Sequence, residues 1–291
     1  MDTKLERLIQ SVIDNAVDGS EASEELVYSL CDYFNNTSGE NAQYLGEVLD
    51  ALKCSAEKGC SFAMLYFVVY VYQYSGMSVE QKELAIRYGA QCGYLRGYYF
   101  SALLLMEDDV FRPRDYFYNW RGGLFGSHML NEPDRAMHEA ARRFQFIVDR
   151  HPEPAEGEQY PDWVLDSAVK AARLNLNKRG FGPGLPIGDE ELALFDLDFV
   201  MKHGEGEQFA HAAATKGAYL LMKNRETEAA DFLIAAIESY PDSVIDFACE
   251  HMHEKRDVYD RVLAVCEAAQ DRMSQNGLGA LAHGRANWLS Y

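Results

Sequence analysis

The chain has 291 residues, of which 48% are apolar and 25% charged, a composition that excludes wholesale disorder. Its 46 acidic and 27 basic residues give a formal net charge of -19 and a pI near 4.8. A mean field of this sign repels phosphate backbones and anionic lipid surfaces, so we expect neither nucleic acid nor a membrane as a partner. A folded acidic surface suits a basic protein partner, although the same charge also serves solubility alone.

Helical periodicity dominates the chain, and no run of alternating β-branched residues is bounded by a two-residue hairpin turn. The sequence therefore predicts an all-α fold. The predicted helices cover residues 2–16, 21–36, 40–58, 60–74, 79–92, 94–107, 130–151, 161–178, 189–203, 206–223, 225–239, 241–254, 256–274 and 278–290. Their short connections imply that helices adjacent in sequence are antiparallel neighbours.

The N-terminal segment and the cysteines predict a cytoplasmic location. The first predicted helix is amphipathic and acidic, unlike an export signal. The longest apolar stretch, from Phe62 to Tyr72, is far shorter than the roughly 20 residues that a bilayer span requires. The six cysteines form no CxxC pair and are spread through apolar helical segments, as reduced core thiols are.

A repeat period appears in the first half of the chain. Ala56, Gly59, Ala63 and Tyr66 recur, all at one constant interval, as Ala90, Gly93, Gly97 and Phe100. Small residues at these spacings let the two helices of a hairpin approach closely, and an aromatic residue at the same offset fills the gap to the next hairpin. The interval equals the length of a tetratricopeptide repeat, about 34 residues, and so indicates an array of helical hairpins.

Two stretches resemble known helical repeats, and with a fainter echo at Ala140, Phe144 and Pro152 the resemblance covers about a third of the chain. The first is similar to a Sel-like repeat, at Ala56, Gly59, Ala63, Tyr70, Gly76, Val79, Ala85, Tyr88, Ala90 and Gly93. The second, residues 209–241, is similar to a tetratricopeptide unit, at Gly217, Ala229, Leu233, Ala236 and Pro241. The resemblance implies an α-solenoid of stacked helix pairs whose usual activity is protein or peptide binding without catalysis.

Two segments interrupt the helical pattern. Residues 150–162 hold three prolines and four acids, and cannot be helical throughout. This segment is the predicted boundary between an N-terminal repeat region with the aromatic Sel-like hairpins, 1–150, and a C-terminal repeat region, 151–291. Residues 179–188 hold four glycines and two prolines and form a long connector, which is either a spacer or a binding loop.

No motif for catalysis, a cofactor or a metal stands out. The glycine-rich connector lacks a GxxxxGK[ST] pattern, and the helix after it opens with Asp189 and two glutamates, which cap a helix and repel phosphate. His251 and His253 are two residues apart, so on a regular helix they point away from each other. Ser127 beside His128 lacks a strained nucleophile elbow. We therefore predict no catalytic residue, no cofactor and no metal site.

Aromatic residues are concentrated in one part of the chain, since 17 of the 36 lie between Phe62 and Phe125. Tyrosine supplies rigid contact area with a polar tip, so this concentration serves either core packing or a partner surface. Residues 112–123 interleave three arginines with four aromatics, as interface hot spots and surfaces for single-stranded nucleic acid both do; the net charge favours the protein interface. The predicted partner-binding residues are Tyr72, Tyr94, Tyr98, Tyr99, Arg112, Arg114, Tyr116, Tyr118, Trp120 and Arg121.

These patterns lead to one functional hypothesis and two alternatives. The hypothesis is non-catalytic binding of a protein or peptide, in a sharper form the inhibition of a basic protein by an acidic, immunity-type antagonist. The first alternative is an all-α enzyme whose site is assembled from scattered residues, and a closed pocket with convergent titratable groups would favour it. The second is a regulatory scaffold or adaptor, which differs from an inhibitor only in what the partner does.

Overall fold

The computed structural model describes residues 3–15, 21–106, 133–176, 189–240, 244 and 260–268, and every regular element in these ranges is helical. The predicted all-α class is confirmed for this part of the chain. None of the helices described there is long and apolar enough to cross a membrane. The elements are α1 (Thr3–Asp14), α2 (Glu21–Asn36), α3 (Ser38–Asn41), a 3-10 turn (Ala42–Tyr44), α4 (Leu45–Glu57), α5 (Ser61–Gln73), α6 (Val79–Gln91), α7 (Leu95–Met106), α8 (Pro133–Arg150), α9 (Asp162–Leu176), α10 (Glu190–His203), α11 (Gly206–Met222) and α12 (Glu226–Ser239). Residues 260–268 are helical as well.

The helix predicted over residues 40–58 begins later in the structure, at Leu45, after α3 and the 3-10 turn. The side-chain amide of Asn41 donates to the Thr37 hydroxyl at 3.0 Å, and asparagine favours such local bonds over regular helix. The chain therefore forms the short helix α3 and the 3-10 turn before α4 starts. The predicted helix 278–290, and all of the predicted helix 241–254 except Val244, lie outside the described residues.

Contacts divide the chain into two units, Met1–Ile147 and Val148–Tyr291. In the first unit, α1 packs on α2, α4 on α5, α5 on α6 and α6 on α7, and α5 also contacts α2. In the second unit, α9 to α12 pack in sequence order in the same way. As predicted, α10 is capped by Asp189, whose carboxylate accepts a hydrogen bond from the Leu192 amide at 2.9 Å.

Two consecutive hairpins of the first unit repeat with the period found in the sequence. The interval from the start of α4 to the start of α6 is the same as the interval from the start of α5 to the start of α7. Gly59 and Gly93, separated by this same interval, follow the ends of α4 and α6 and have φ angles of 95° and 76°. Glycine adopts this left-handed conformation without a steric penalty, which makes it the usual residue there. The period in the sequence thus coincides with a period in the backbone.

Helices α11 and α12 pack closely at Gly217 and together contribute most of one core cluster of the second unit. A Cβ atom on Gly217 would lie 2.8 Å from Leu233 Cγ and 3.1 Å from the Ala229 carbonyl oxygen. All three residues are positions of the predicted tetratricopeptide-like hairpin. A side chain larger than hydrogen at Gly217 therefore forces these two helices apart.

We expect Gly217→Ala to lower the free energy of unfolding of the second unit by about 1 to 3 kcal/mol, the usual cost of overpacking. Hydrogen exchange of the α11 and α12 amides measures this loss directly. The matched control is Gly46→Ala in α4, where a Cβ atom meets nothing within 4 Å. That substitution gains about 0.5 to 1 kcal/mol from helix propensity, measured on α4. Equal gains at both sites would contradict the close approach at Gly217.

Candidate partner-binding surface

Aromatic rings from three parts of the first unit meet at Phe62, near the start of α5. The ring centroids of Tyr28 on α2, Tyr66 on α5 and Tyr94 just before α7 lie 6.3, 4.9 and 6.2 Å from that of Phe62. Tyr28 is 56% exposed and Tyr94 37%, whereas Phe62 and Tyr66 are half-buried. These four side chains, together with Glu24 on α2, are called the Phe62 surface.

Helix α5 places Phe62, Tyr66 and Tyr70 one turn apart, so that they share one face, as the sequence predicts. The ring of Tyr66 lies 5.9 Å from that of Tyr70. Tyr70 is buried, and its hydroxyl donates to the side-chain oxygen of Asn35 on α2 at 3.0 Å. This bond fixes α5 against α2 and so holds Tyr28 beside Phe62.

Other residues of α5 are packed into the core of the first unit. Ala63, Phe67, Val68 and Val71 are buried. The Phe67 ring stands edge-on to that of Tyr88 on α6, with the centroids 5.4 Å apart. Because these contacts fix the rotation of α5, the aromatic face at Phe62 has little freedom to turn inward.

Two carboxylates and one guanidinium act on the rings of this surface. Burial raises the pKa of the Tyr94 hydroxyl, and the negative charge of Glu24 raises it further. Burial also raises the pKa of Tyr66, where the charge of Asp32 adds to the effect and that of Arg96 opposes it. Charges of both signs therefore act on these rings, Glu24 on Tyr94 and both Asp32 and Arg96 on Tyr66.

Two other predicted binding residues, Tyr72 and Tyr99, both contact Phe100. The ring centroids of Tyr72 and Tyr99 lie 5.4 and 5.3 Å from that of Phe100. The Tyr99 ring also lies 6.2 Å from that of the buried Phe144 on α8. Tyr99 thus contributes to packing between α7 and α8, while Tyr72 is exposed.

Tyr98 is placed differently again. Its hydroxyl donates to the Ala90 carbonyl oxygen at 3.1 Å, and its ring lies 4.7 Å from that of Phe146. Of the predicted tyrosines in the described residues, Tyr94 is the one whose ring contacts Phe62. The remaining predicted side chains, Arg112, Arg114, Tyr116, Tyr118, Trp120 and Arg121, lie outside the described residues.

The sequence prediction did not include Glu24 or Tyr28 among the site residues. The signal that could have found them is the spacing of Glu24, Tyr28 and Asp32, which follow one another at successive turns of α2. This spacing puts a tyrosine between two acids on one helix face. Composition alone does not indicate α2, because the aromatic residues are concentrated after Phe62 in the sequence.

A buried charged residue connects three helices of the same unit. The guanidinium of Arg143 on α8 donates to the Ile86 carbonyl oxygen at 2.9 Å and to the Ser101 hydroxyl oxygen at 2.7 Å. Its Nε donates to the Glu139 carboxylate at 2.9 Å. With these bonds made inside the protein, Arg143 joins α8 to α6 and α7 and is a structural residue rather than a binding one.

The second unit has its own aromatic cluster, built around Tyr160. Its ring centroid lies 5.0 Å from that of Phe199, 5.1 Å from that of His203 and 5.9 Å from that of His151. The His151 ring in turn lies 5.6 Å from that of Trp163. These histidines are therefore packed against aromatic rings in the folded unit.

Within the described parts of the chain, no group of three or more His, Cys, Asp or Glu side chains is arranged to hold a metal ion. Comparisons with protein-family models, with curated proteins and with solved structures find no match to this chain. Its function has to be inferred from its own charge and geometry, and the Phe62 surface is the feature with the most distinctive chemistry.

Proposed function

We propose that this chain is a non-catalytic protein-binding protein whose acidic, tyrosine-bearing surface engages a basic protein. The observation that carries the proposal is the Phe62 surface, where two exposed tyrosines rest on half-buried rings beside a glutamate. Rigid aromatic area with polar tips is typical of interface hot spots. The net charge of -19 adds a long-range attraction for a basic partner and accelerates its approach.

We further propose that the regions 1–150 and 151–291 are stacks of tetratricopeptide-like and Sel-like hairpins, in the manner of an α-solenoid. The constant interval between corresponding helices of the first unit supports this, as does the matching pair Gly59 and Gly93. In the second unit the close approach of α11 and α12 at Gly217 supports it. Stacked repeats leave an extended face of successive helices for a partner.

A cytoplasmic location belongs to the same proposal, and the thiols support it. Cys31, Cys54, Cys60, Cys92 and Cys266 are free. Burial raises the pKa of Cys31 to about 12 and that of Cys266 to about 11, so both remain protonated and unreactive at neutral pH. Free thiols in a folded chain fit a reducing compartment.

The test is capture of a partner from the native lysate at low ionic strength, on a column that carries the purified chain. A parallel column with an unrelated acidic protein of similar pI removes proteins that bind any negative surface. We expect one basic protein to be enriched, and we expect the dissociation constant of the purified complex to rise steeply with salt. A specific partner whose affinity is indifferent to salt would contradict the electrostatic part of the proposal.

The activity of the purified partner separates the two roles that binding can serve. An inhibitor or immunity-type antagonist abolishes that activity at a one-to-one ratio, and removal of the chain by salt restores it. A scaffold or adaptor leaves the activity unchanged while the complex persists. We expect inhibition, because an acidic surface bound to the basic surface of the partner blocks that surface to any anionic substrate.

A further inference from the structure

The Phe62 surface combines exposed aromatic area with a carboxylate, which is more specific than acidity alone. The exposed rings of Tyr28 and Tyr94 each contact the half-buried ring of Phe62. Glu24 lies one helical turn before Tyr28 on α2, so both side chains project from the same face of that helix. Its negative charge also acts on Tyr94. A cation paired with Glu24 is therefore within reach of the Tyr28 ring.

The helices that build this surface have an acidic balance. Helix α2 contains four acidic residues and no basic one, and α5 has no charged residue at all. Helix α7 contributes one basic residue, Arg96, whose charge acts on Tyr66 together with that of Asp32. Asp32 and Arg96 thus act on Tyr66 with opposite signs, and Glu24 is the carboxylate one helical turn from the exposed Tyr28.

The two cationic side chains of proteins differ in how well they fit such a surface. A guanidinium is planar and weakly hydrated, stacks on aromatic faces and binds a carboxylate through two parallel hydrogen bonds. A lysine ammonium is a compact, strongly hydrated charge that gains less from a flat apolar ring. Two exposed rings in contact with Phe62 and a carboxylate on the same helix face as Tyr28 match the guanidinium.

We propose that the Phe62 surface binds an arginine side chain of the basic partner, stacked against Tyr28, Phe62 and Tyr94 and paired with Glu24. This inference rests on the proposed function, because it specifies how the basic protein is recognised. It makes the surface selective for arginine over lysine at equal charge. Diffuse attraction by an acidic protein has no such selectivity.

The direct test uses two fluorescent peptides of about 12 residues with equal net charge, one alternating arginine with serine and the other lysine with serine, at low ionic strength. Fluorescence anisotropy gives the dissociation constants for the full chain. We expect the arginine peptide to bind about fivefold more tightly than the lysine peptide, because stacking adds to the charge attraction. Equal affinity of the two peptides, or no binding of either, overturns the inference.

Variants locate the site of binding. We expect Tyr28→Ala with Tyr94→Ala to weaken the arginine peptide about tenfold and to remove its advantage over the lysine peptide. Glu24→Gln should weaken it about fivefold, whereas the control Glu47→Gln, an exposed acid on α4 with the same change of charge, should weaken it less than about twofold. If the two glutamate variants weaken binding equally, the attraction is diffuse and the inference is wrong.

Two safeguards keep the result interpretable. Circular dichroism checks that the variants remain folded, and Tyr28→Ala alone replaces the double variant if removal of Tyr94 disturbs the start of α7.

The captured partner is then titrated with the same variants. If the partner binds the Tyr28 and Tyr94 variant with unchanged affinity, the proposed function stands and this inference falls. If no basic partner exists but the arginine peptide still shows the selectivity and the variant effects, the arginine site stands and the proposed function falls.

Discussion

Replacement of Gly89 by alanine is expected to destabilise the first unit by about 3 kcal/mol, the upper part of the range for overpacked sites. Gly89 lies in α6 where that helix meets α7. A Cβ atom there would lie 2.3 Å from Ser101 Cβ and 2.6 Å from the Gly97 carbonyl oxygen. The carbonyl belongs to the backbone of α7, so no change of rotamer relieves the clash. The two helices must move apart, and the Ser101 hydroxyl that accepts from Arg143 moves with them.

The sign of this effect makes the experiment decisive. In an open helical position the same change of glycine to alanine stabilises a helix by about 0.5 to 1 kcal/mol, as expected for Gly46. Hydrogen exchange of the α6 and α7 amides is the suitable measurement, because a chain of two units need not unfold in a single step. A Gly89→Ala protein with slower exchange than wild type would mean that α6 and α7 do not approach as closely as the structure places them.

The helices could be predicted from the sequence because the periodicity of apolar residues that indicates a helix is a local property of each segment. The repeat period was visible from small residues and aromatics, and α4 and α6, like α5 and α7, begin with that spacing. The residues at which one helix packs against the next were harder to predict from the sequence. The period includes Ala90 and Gly93, whereas the glycine of α6 that packs against the α7 backbone is Gly89. Which of several adjacent small residues faces the next helix depends on the rotation of the helix in the fold.

The residues of the Phe62 surface were also predicted only in part, because their contacts depend on how the helices are oriented in the fold. Tyr94 was identified from composition, and its contact with Phe62 joins it to the aromatic face that the spacing of α5 predicts. Its neighbour Tyr28 comes from α2, far from Phe62 in the sequence, and only tertiary packing brings the two rings together. Tyr98 and Tyr99 look like Tyr94 in the sequence, but their rings contact Phe146 and Phe144. Residue type indicates an interface, and the packing of α2 on α5 determines its members.

Arg143→Ala is expected to cost the first unit about 2 to 4 kcal/mol, because it takes a donor from the Ser101 hydroxyl and the Ile86 carbonyl oxygen and removes buried packing. Arg143 is 4% exposed and bonds to Glu139, Ser101 and the Ile86 carbonyl oxygen. Its removal takes away the donor that these three acceptors share and leaves a cavity between α8 and the pair α6 and α7. Hydrogen exchange of the α6, α7 and α8 amides should report the loss on all three helices.

The preceding residue supplies a closely matched control. Arg142 pairs with the same Glu139 carboxylate, at 3.3 Å, but its side chain is 68% exposed. Its replacement by alanine should cost less than about 0.5 kcal/mol, as for other solvent-exposed ion pairs. Arg143→Lys should fall between the two, because lysine keeps the charge and loses the planar set of donors. Equal losses for Arg142→Ala and Arg143→Ala would show that charge near Glu139, rather than the buried bonds to α6 and α7, holds α8 in place.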